Sequence, residues 1–361
     1  MKNIALLVST FIANDAIGND VTHQYNLLKK TCKVDIYAQN SLVKDEALKF
    51  INKEELFDFI EDKNNIIIYH HGVFWPEGQE ILKAAKCRIF LKYHNITSPC
   101  FFQLYNNDYM QMCKNGIAQT AEIVNLEKVE KYICDSLYNS QDFLALGVPK
   151  TKIKIAAPFH NLNDFKKTKH DMTLANQIKS NGKINILFIG RFAPNKGHRH
   201  LVQTIMHYTR IYDREISLDI IGGLDDKLSD YTDEIKTLIN YYKLNDCITI
   251  HNKLSFDKLC TYLNYSDIFL LLSEHEGFCV PILEAQMHDM PIIAYNSTAV
   301  GETLGEEQLI FDTLDYHTFA VAIHLLSQNQ AYKNYLIDKG RKNFENYSND
   351  ILEKNFLDCI K

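Results

Sequence analysis

The sequence predicts an α/β protein built from two consecutive Rossmann-like domains. Short, apolar, β-branched runs alternate with helical stretches in both halves of the 361-residue chain. Continuous apolar runs that are separated by helices are typical of parallel strands covered by helices on both faces. The length also favours two domains of roughly 150 to 200 residues each, because one hydrophobic core rarely grows beyond that size.

Each half contains six predicted strands. In the first half they are NIALLVS, KVDIYA, NIIIYHH, CRIFLKYH, KYICDS and KIKIAAP, and in the second half INILFIGR, SLDIIGG, CITIHN, IFLLLS, PIIAYN and LIF. The clearest helices are GHRHLVQTIMHYTRIY and FDKLCTYLNYS. Residues 161–182 are polar and poor in strand-forming residues, which predicts a linker with room for one helix between domains at 1–160 and 183–345.

The charge balance disfavours nucleic acid as a partner. The net charge is −6 and the pI is about 6.2, whereas binding to phosphate backbones calls for a basic surface. Residues 1–160 contain equal numbers of basic and acidic side chains, so the second half carries the whole negative charge. The lysines of LLKKTCK are either a local basic face for an anionic membrane or the solvated end of a helix.

The nine cysteines indicate a reducing compartment. Their number is odd, no C-x-x-C pair occurs, and several lie in apolar runs, as expected of buried thiols in a cytosolic protein. The apolar stretch in MKNIALLVST is too short for a signal peptide. No run reaches the roughly 18 apolar residues that a membrane span needs. We therefore expect a cytoplasmic protein.

Two basic residues follow the first strand of the second half. Arg191 and Lys196 lie in RFAPNKGHRHL, between the strand and a helix. Ligands of parallel sheets bind outside the carboxyl ends of the strands, and cations beside a helix N-terminus favour a diphosphate. The alternative is an ordinary basic surface loop.

Two carboxylates follow a later strand, in EGFCVPILE. Glu276 is predicted in the strand-to-helix loop and Glu284 in the first turn of the helix, so that both could face one crevice. An ionised carboxylate only accepts hydrogen bonds, and it can therefore bind two sugar hydroxyls at once. The alternative for Glu284 is a carboxylate that complements the helix dipole.

These stretches resemble a known family. GRFAPNKGHRHL, LDIIGG, the segment from LSFDKL to PIIAYN, and VGETLG together resemble the retaining family 4 glycosyltransferases of GT-B fold. In the first half the resemblance is looser, and it is found in DAIGNDVTHQYNLL, KYHNIT and ICDSLYNSQDFLALGVPKTKIKI. The resemblance implies two Rossmann-like domains that face each other across a cleft, and a helix within 346–361 that returns to the first domain.

The resemblance also implies roles for individual residues. Arg191 and Lys196 would bind the donor diphosphate, Glu284 the ribose and Glu276 the transferred sugar. The backbone amides of Gly277, Phe278, Cys279 and Val280 would bind the sugar and phosphates. Gly18 and Asn19 would lie at the distal phosphate, and His94 would lie near the anomeric region of the transferred sugar. Two departures are the Cys279 and Asn19 side chains, where the family often has glycine.

The remaining histidines are less specific. His94 ends a strand, and the alternative to a functional role is that it caps the edge of the core. His70 and His71 also end a strand, and one of them could face the cleft, whereas His198 and His200 are expected to be exposed. No cluster has zinc-ligand spacing, so no metal site is predicted.

The expected activity is retaining, metal-independent transfer of a hexosyl-type sugar from a nucleotide-diphosphate donor to a hydroxyl of a glycan or lipid-linked acceptor. Bacterial surface polysaccharide synthesis, with possible peripheral membrane contact, is the expected setting. Metal independence follows from the cations Arg191 and Lys196 and from the absence of Asp-x-Asp in the sequence. The alternatives are a hydrolase, an epimerase or phosphorylase of the same fold, or a non-catalytic sugar-nucleotide-binding subunit; the missing G-x-G-x-x-G argues against a dehydrogenase.

Overall fold

A computed structural model describes residues 3–12, 15–41, 47–160, 162–165 and 168–361, apart from the side chains of residues 163 and 164. The chain divides into two compact units. The first contains residues 1–100, 108–161 and 347–361, and the second contains residues 101–107 and 162–346. Among the described residues, no helix combines the length and hydropathy that crossing a membrane requires.

The elements alternate between strand and helix along most of the chain. The strands are β1 (Asn3–Phe11), β2 (Lys33–Ser41), β3 (Ile66–His71), β4 (Arg88–Tyr93), β5 (Val129–Cys134), β6 (Ile153–Ile155), β7 (Ile184–Ile189), β8 (Ile216–Ile221), β9 (Ile248–His251), β10 (Ile268–Leu271), β11 (Ile292–Tyr295) and β12 (Leu309–Phe311). The helices are α1 (Ala16–Leu28), α2 (Lys53–Glu61), α3 (Pro76–Ala84), α4 (Asn107–Asn125), α5 (Leu137–Ala145), α6 (Leu162–Phe165), α7 (Met172–Ser180), α8 (His198–Ile211), α9 (Ser229–Tyr241), α10 (Phe256–Tyr265), α11 (Val280–Met287), α12 (Val300–Leu304), α13 (Tyr316–Gln328), α14 (Gln330–Glu345) and α15 (Asn349–Cys359). Each of the twelve predicted strands is confirmed.

Each unit is built around one parallel sheet of six strands. The strand orders are β2-β1-β3-β4-β5-β6 and β12-β11-β10-β7-β8-β9. In the first sheet the order reverses between β1 and β3, and in the second it reverses between β7 and β10. Such reversal points open a crevice at the carboxyl ends of the strands, where ligands of doubly wound sheets bind.

The core of the first unit includes the end of the chain. Leu6 and Ile36 of the sheet are fully buried, and Leu352 and Phe356 of α15 join the same apolar cluster. Phe356 also packs edge-on against the ring of Phe159, with 5.6 Å between the ring centres. This burial of apolar surface accounts for the position of α15 in the first unit.

The segment for which the sequence predicts a linker, residues 161–182, contains two helices, α6 and α7, in the second unit; residues 161, 166 and 167 lie outside the described ones. Asp171 caps α7, and its backbone N–H donates to Thr261 Oγ1 at 2.8 Å. Phe165 packs edge-on against Phe256 at 4.5 Å. A few apolar side chains in an otherwise polar stretch thus suffice to attach it to a neighbouring surface.

Residues 101–107 also belong to the second unit, although they lie between β4 and α4 in the sequence. The Tyr105 hydroxyl donates to Glu234 at 2.8 Å, and its ring packs edge-on against Tyr231 at 5.1 Å. The Asn106 side chain donates to the carbonyl of Lys227 at 2.8 Å. No feature of the sequence pattern indicates this assignment, because it depends on contacts with a distant segment.

Candidate functional site

The candidate donor site lies where the order of the second sheet reverses. β7 and β10 are neighbours and parallel, so the loops that follow them leave the same edge of the sheet. The first of these loops carries Arg191 and Lys196, and the second carries Glu276. The topology therefore brings together side chains that are about 80 positions apart in the sequence.

A glycine and an asparagine hold the two loops together. Gly197 has a φ of 71°, and a β-carbon on it would lie 2.0 Å from the carbonyl oxygen of Leu272. The carbonyl of Asn195 accepts the backbone N–H groups of Glu274 at 2.9 Å and His275 at 3.3 Å. The Asn195 side-chain amide also donates to the carbonyl of His275 at 3.1 Å. Both the left-handed backbone and the close approach require glycine at position 197.

Lys196 and Glu276 form an ion pair at this edge. Lys196 Nζ lies 2.7 Å from Glu276 Oε2, and the side chains are 21% and 7% exposed. Thr298 supports the glutamate, since its hydroxyl donates to the carbonyl of Glu276 at 2.9 Å and accepts the N–H of the same residue at 2.8 Å. The ammonium group is thus fixed in position while it remains partly open to a ligand.

Arg191 is exposed directly after the buried strand β7. Within the ranges that the structure covers, its guanidinium group forms no hydrogen bond or ion pair. A planar group with five donors is therefore available for an anionic ligand, such as a phosphate.

Glu284 lies in a different environment from Glu276. It is the fifth residue of α11, which begins at Val280, so it lies just beyond the first turn in which it was predicted. The side chain is half-buried, and burial raises the pKa of its carboxyl group to about 7. Among the described residues it has no hydrogen-bond partner, which leaves the carboxyl free to bind hydroxyl groups.

The connection between the two glutamates is tightly built. Cys279 is buried and has a φ of 78°, in the left-handed region. Burial raises the pKa of its thiol well above the usual value. Phe278 is also buried, and its carbonyl accepts the hydroxyl of Thr303 at 2.5 Å. Gly277 is half-buried, as is Val280, which opens α11.

His94 of the first unit is bonded through both of its ring nitrogens. It follows β4, and its Nδ1 lies 2.9 Å from Oδ2 of Asp135, which follows β5. Its Nε2 lies 2.9 Å from Nδ1 of His70, at the end of β3. Both ring nitrogens of His94 are therefore occupied by hydrogen bonds within the first unit.

Further buried charges surround His94. Lys92 Nζ lies 2.5 Å from Asp135 Oδ1, and Asp20 Oδ2 lies 3.8 Å from His94 Nε2. Potential metal-ligand atoms of Asp20, His70 and His94 come within 4.8 Å of one another, which the sequence spacing does not indicate. In the structure these groups are engaged in hydrogen bonds.

Gly18 lies in α1 and not in a loop. Its N–H donates to Asp15 Oδ1 at 2.5 Å, and a β-carbon on it would lie 1.9 Å from the carbonyl of Ile12. The glycine is therefore required by close backbone packing. Asn19 follows in the same helical turn and is half-buried; residues 13 and 14, just before, lie outside the described ones.

The prediction that His198 is exposed is wrong. Its side chain is fully buried and stacks on Phe192, with 4.0 Å between the ring centres. Its Nδ1 lies 3.1 Å from the Tyr231 hydroxyl, and burial lowers its pKa to about 3. His200 is half-buried and lies 2.9 Å from Glu274. The loop before α8 is attached to residues that follow β10, and His198 packs into the core at the start of the helix.

Sequence reasoning missed the charged side chains that surround His94, which are Asp20, Lys92 and Asp135. Lys92 was the available signal, since it is a lysine in the otherwise apolar strand FLKYH and is only 1% exposed. A buried ammonium group requires a carboxylate close by. Nothing in the sequence indicates which carboxylate that is.

The fold is shared with solved glycosyltransferase structures. Anabaena Alr3699/HepE in complex with UDP and glucose superposes with a TM-score of 0.78 at 12% identity, and 99% of each chain is covered. Sucrose-phosphate synthase from Thermosynechococcus elongatus gives a TM-score of 0.75 at 17% identity, with coverage of 100% of this chain and 98% of the other. The two six-stranded parallel sheets are thus those of the GT-B glycosyltransferase fold.

Sequence comparison gives a family match in the second unit. Residues 173–343 match the family model "Glycosyl transferases group 1". A 41.2 kDa protein in the cps region of Klebsiella pneumoniae is 26% identical over 76% of this chain and 75% of its own length. The capsular polysaccharide biosynthesis glycosyltransferase CapM of Staphylococcus aureus is 27% identical over 48% of this chain and 44% of its own.

Proposed function

We propose that this protein is a group 1 glycosyltransferase that transfers a sugar from a nucleotide-diphosphate donor to a hydroxyl group of a glycan or lipid-linked acceptor, with retention of the anomeric configuration. The observation that carries the proposal is the Lys196–Glu276 pair beside the open Arg191 guanidinium, at the edge where the second sheet reverses its strand order. This arrangement offers cations to a diphosphate and a carboxylate to a sugar.

The charges match the changes that occur during glycosyl transfer. The bond between the anomeric carbon and the β-phosphate oxygen breaks, and its electron pair leaves with the nucleoside diphosphate. Lys196 and Arg191 stabilise the negative charge that grows on this leaving group, and a single preorganised donor can be worth about 3 kcal/mol. Since these two cations take the part of a metal ion, we expect catalysis without one.

Retention follows, in this proposal, from attack on the face that the diphosphate leaves. The acceptor oxygen forms the new bond to the anomeric carbon, and its proton passes to an oxygen of the departing phosphate. No side chain then has to act as nucleophile or base. This assigns Glu276 to hydroxyl groups of the transferred sugar and Glu284 to those of the ribose.

The relatives suggest the setting. A protein of a cps region and a capsular polysaccharide glycosyltransferase are among the proteins that the chain resembles, so we infer a surface polysaccharide or its lipid-linked precursor as the acceptor. All nine cysteines are free thiols, which fits a reducing compartment. Action at the cytoplasmic face of the membrane is consistent with both observations.

A donor panel tests the proposal. The wild-type protein is incubated with UDP-, GDP-, ADP- and CMP-linked sugars, and its thermal shift and calorimetric affinity are measured with and without EDTA. We expect one nucleoside diphosphate family to stabilise the fold, with no change upon chelation, and Arg191→Ala to abolish the shift. The anomeric configuration of the product, determined by proton NMR, then separates retention from inversion. Loss of binding in EDTA, or binding by none of the four classes, would contradict the proposal.

A further inference from the structure

A polar cavity, which we name the amino-edge cavity, lies where the strands of the second sheet begin. Its volume is about 340 Å³, at the lower end of the range of small-molecule sites, roughly 300 to 1,000 Å³. It is lined by Ile184 and Ile268, the first residues of β7 and β10, by residues just before β8, and by the C-terminal turns of α8 and α13. The candidate donor loops follow β7 and β10, so the cavity lies at the opposite ends of the same strands.

Tyr208 brings an unpaired hydroxyl group to the amino-edge cavity. The residue lines the cavity from the last turn of α8, and it is only 1% exposed. Among the described residues, its hydroxyl has no hydrogen-bond partner. Burial, and next the charge of Asp213, raise the pKa of Tyr208 to about 12, so the hydroxyl stays protonated. The hydroxyl of a buried tyrosine usually has a partner, so this one marks a place where a ligand atom can accept a hydrogen bond.

Three carboxylates border the amino-edge cavity, and they keep capacity to accept hydrogen bonds. Oδ1 of Asp213 accepts the backbone N–H of Glu215 at 2.8 Å. The other oxygen of Asp213 and the exposed carboxylate of Glu215 are without a hydrogen bond in the described part of the chain. Oδ2 of Asp267 accepts the backbone N–H of Asn185 at 2.9 Å. A ligand in the cavity therefore meets several acceptors that the protein itself leaves open.

Two ammonium groups line the same cavity. Nζ of Lys333 lies 3.5 Å from Oδ1 of Asp267, and the lysine side chain is 21% exposed. This distance is too long for a strong hydrogen bond. Nζ of Lys183 donates to the carbonyl of Asp246 at 2.6 Å, which uses one of its three donors. The lining thus combines donors and acceptors, and its opposite charges nearly cancel.

This mixture of charges disfavours a strongly charged ligand. An anion such as phosphate would meet three carboxylates and the C-terminal ends of α8 and α13, which carry partial negative charge. A polyamine would meet the two lysines. A neutral ligand with several hydroxyl groups meets neither repulsion, because a hydroxyl can donate to a carboxylate and accept from an ammonium group or from Tyr208. Ile184 and Leu326 add apolar contacts for the C–H groups of such a ligand.

We propose that the amino-edge cavity binds a neutral saccharide and is separate from the donor site. β7 contains six residues, and at about 3.3 Å per residue the two ends of the sheet lie about 20 Å apart. A sugar in the cavity therefore takes no part in bond breaking, and the site serves to hold carbohydrate. Identifying that sugar as a part of the glycan acceptor rests on the function proposed above, whereas the binding itself does not.

Ligand-observed NMR tests the binding. Saturation-transfer spectra of the full-length protein are recorded with the methyl glycosides of glucose, galactose, mannose and N-acetylglucosamine, and calorimetry gives the affinities. We expect at least one glycoside to bind with a Kd on the order of 1 mM, the strength that a few hydroxyl contacts provide. A second arm uses disaccharides built from the sugar that binds. Tighter binding of a disaccharide would identify a glycan as the ligand, and equal binding a free sugar.

Tyr208→Phe isolates the contribution of the hydroxyl. Because this group has no partner in the described structure, the variant should melt at the wild-type temperature, while saccharide binding should weaken by about three- to tenfold. Glu215→Gln, at an exposed position, is a second variant that should weaken binding. The matched control is Tyr212→Phe, whose ring stacks on His324 with 3.8 Å between the ring centres. Tyr212 does not line the cavity, so this variant should bind saccharide as the wild type does.

Absence of saccharide binding in the wild type would overturn the proposal, and so would wild-type affinity in both Tyr208→Phe and Glu215→Gln. Inorganic phosphate and spermidine are included as charged probes. If one of them binds in a manner that Tyr208→Phe weakens, while no saccharide does, the cavity takes a charged ligand and the proposal is wrong. Nucleotide binding is measured separately, so failure of the proposed transferase function and failure of saccharide binding remain distinguishable.

Discussion

The two units treat their functional polar groups in opposite ways. In the first unit, His94 and the charges around it form bonds with one another and leave neither ring nitrogen open. In the second unit, Arg191 is exposed and Glu284 has no partner within the described residues, while Lys196 is partly exposed beside Glu276. Both sets lie at the carboxyl edge of a parallel sheet, near the point where the strand order reverses.

The difference separates two ways of preparing a site. A closed set of buried, hydrogen-bonded charges makes each member important for the stability of the unit. An open set of charges contributes little to folding and keeps its binding capacity for a ligand. Mutations in the first unit should therefore affect mainly stability, whereas those in the second should affect mainly binding and turnover.

The largest expected effect concerns Asp135. Asp135→Ala leaves the buried Lys92 and His94 without their carboxylate, and breaking a buried pair from one side costs about 3 to 5 kcal/mol. We expect the melting temperature to fall by roughly 10 °C. The control is Asp219→Ala in the second unit, which removes a 2.7 Å pair with His251 that is more exposed, at 20% and 16%.

The Asp219 variant should lose less stability than Asp135→Ala, by about 1 to 2 kcal/mol, since a pair that keeps contact with water contributes less than a fully buried one. Calorimetric melting of both variants checks the comparison. Equal losses of unfolding free energy in the two variants would mean that burying the charged side chains around His94 has no energetic consequence.

The next effect concerns the open cations. Lys196→Ala and Arg191→Ala should each reduce turnover by about 10²-fold or more, because each removes a contact that strengthens as the leaving group becomes charged. Arg191→Ala should leave the melting temperature unchanged, since the side chain is exposed. Lys258→Ala, at an exposed position of α10, is the control and should keep full activity.

Steady-state kinetics, with and without EDTA, provides the measurement. Full activity in both variants, or complete loss of wild-type activity upon chelation, would argue against the assignment of the diphosphate site.

The strands could be predicted because each is a short apolar run, and burial of such runs dominates the folding energy. The loops of Lys196 and Glu276 could be predicted as ligand-binding loops, because ligands bind outside the carboxyl ends of parallel strands. The ion pair of Lys196 with Glu276 depends on the order of the strands in the sheet, which only the structure shows. The cluster of hydrogen-bonded side chains around His94 could not be predicted in the same way. Its hydrogen bonds join residues from four separate segments, such as Gln24 to His70 and His94 to Asp135, and a sequence does not encode which of several polar residues will face one another.

The position of Glu284 is a second, smaller feature that the sequence did not predict correctly. The helix starts at Val280 because Cys279 takes a left-handed conformation there. Glu284 therefore lies just beyond the first turn for which it was predicted. A left-handed conformation at a non-glycine residue depends on the packing around it. A cysteine in the sequence does not indicate this conformation, whereas a glycine would.

The two glutamates of the open site should respond differently to isosteric neutralisation. Glu284→Gln should raise the donor KM and weaken binding of the free nucleotide by about tenfold, because ribose contacts serve the ground state and the transition state equally. Glu276→Gln should lower kcat by about tenfold and leave nucleotide binding nearly intact, since contacts to the transferred sugar matter most as its anomeric carbon gains charge. Calorimetry with the nucleotide and kinetics with the full donor measure the two effects. The opposite pattern would reverse the roles, and no effect from either variant would make the pair structural.

Glu284 also makes a prediction about pH. Its pKa rises from 4.5 to about 7 on folding, so the folded state holds a proton that the unfolded state has lost. Its contribution to stability is therefore present at low pH and is lost as the pH rises toward about 7. Nucleotide binding should follow the opposite trend, because only the ionised carboxylate accepts two hydroxyl groups.

If binding needs the ionised form, affinity should increase about tenfold between about pH 6 and about pH 8, in proportion to the ionised fraction. Glu284→Gln should remove this dependence. Calorimetric titrations at several pH values in the two proteins check it, and a flat profile in the wild type would place the ribose contact elsewhere.

The smallest effect concerns Cys279, which joins the two glutamates. At a φ of 78° a side chain costs about 1 to 2 kcal/mol relative to glycine, whereas loss of the buried thiol and the greater freedom of an unfolded glycine together cost about as much. Cys279→Gly should therefore change the free energy of unfolding by less than about 1 kcal/mol. Cys279→Val keeps an apolar side chain but places a β-branched one in the left-handed region, and it should destabilise by about 1 to 3 kcal/mol. The urea midpoints of the two variants show whether the backbone conformation or the packing of the side chain determines the stability at position 279. If Cys279→Gly proves less stable than Cys279→Val, the contacts of the side chain determine the stability. If it does not, the position requires only a backbone amide in this conformation. The nucleotide affinity of the glycine variant should then equal that of the wild type.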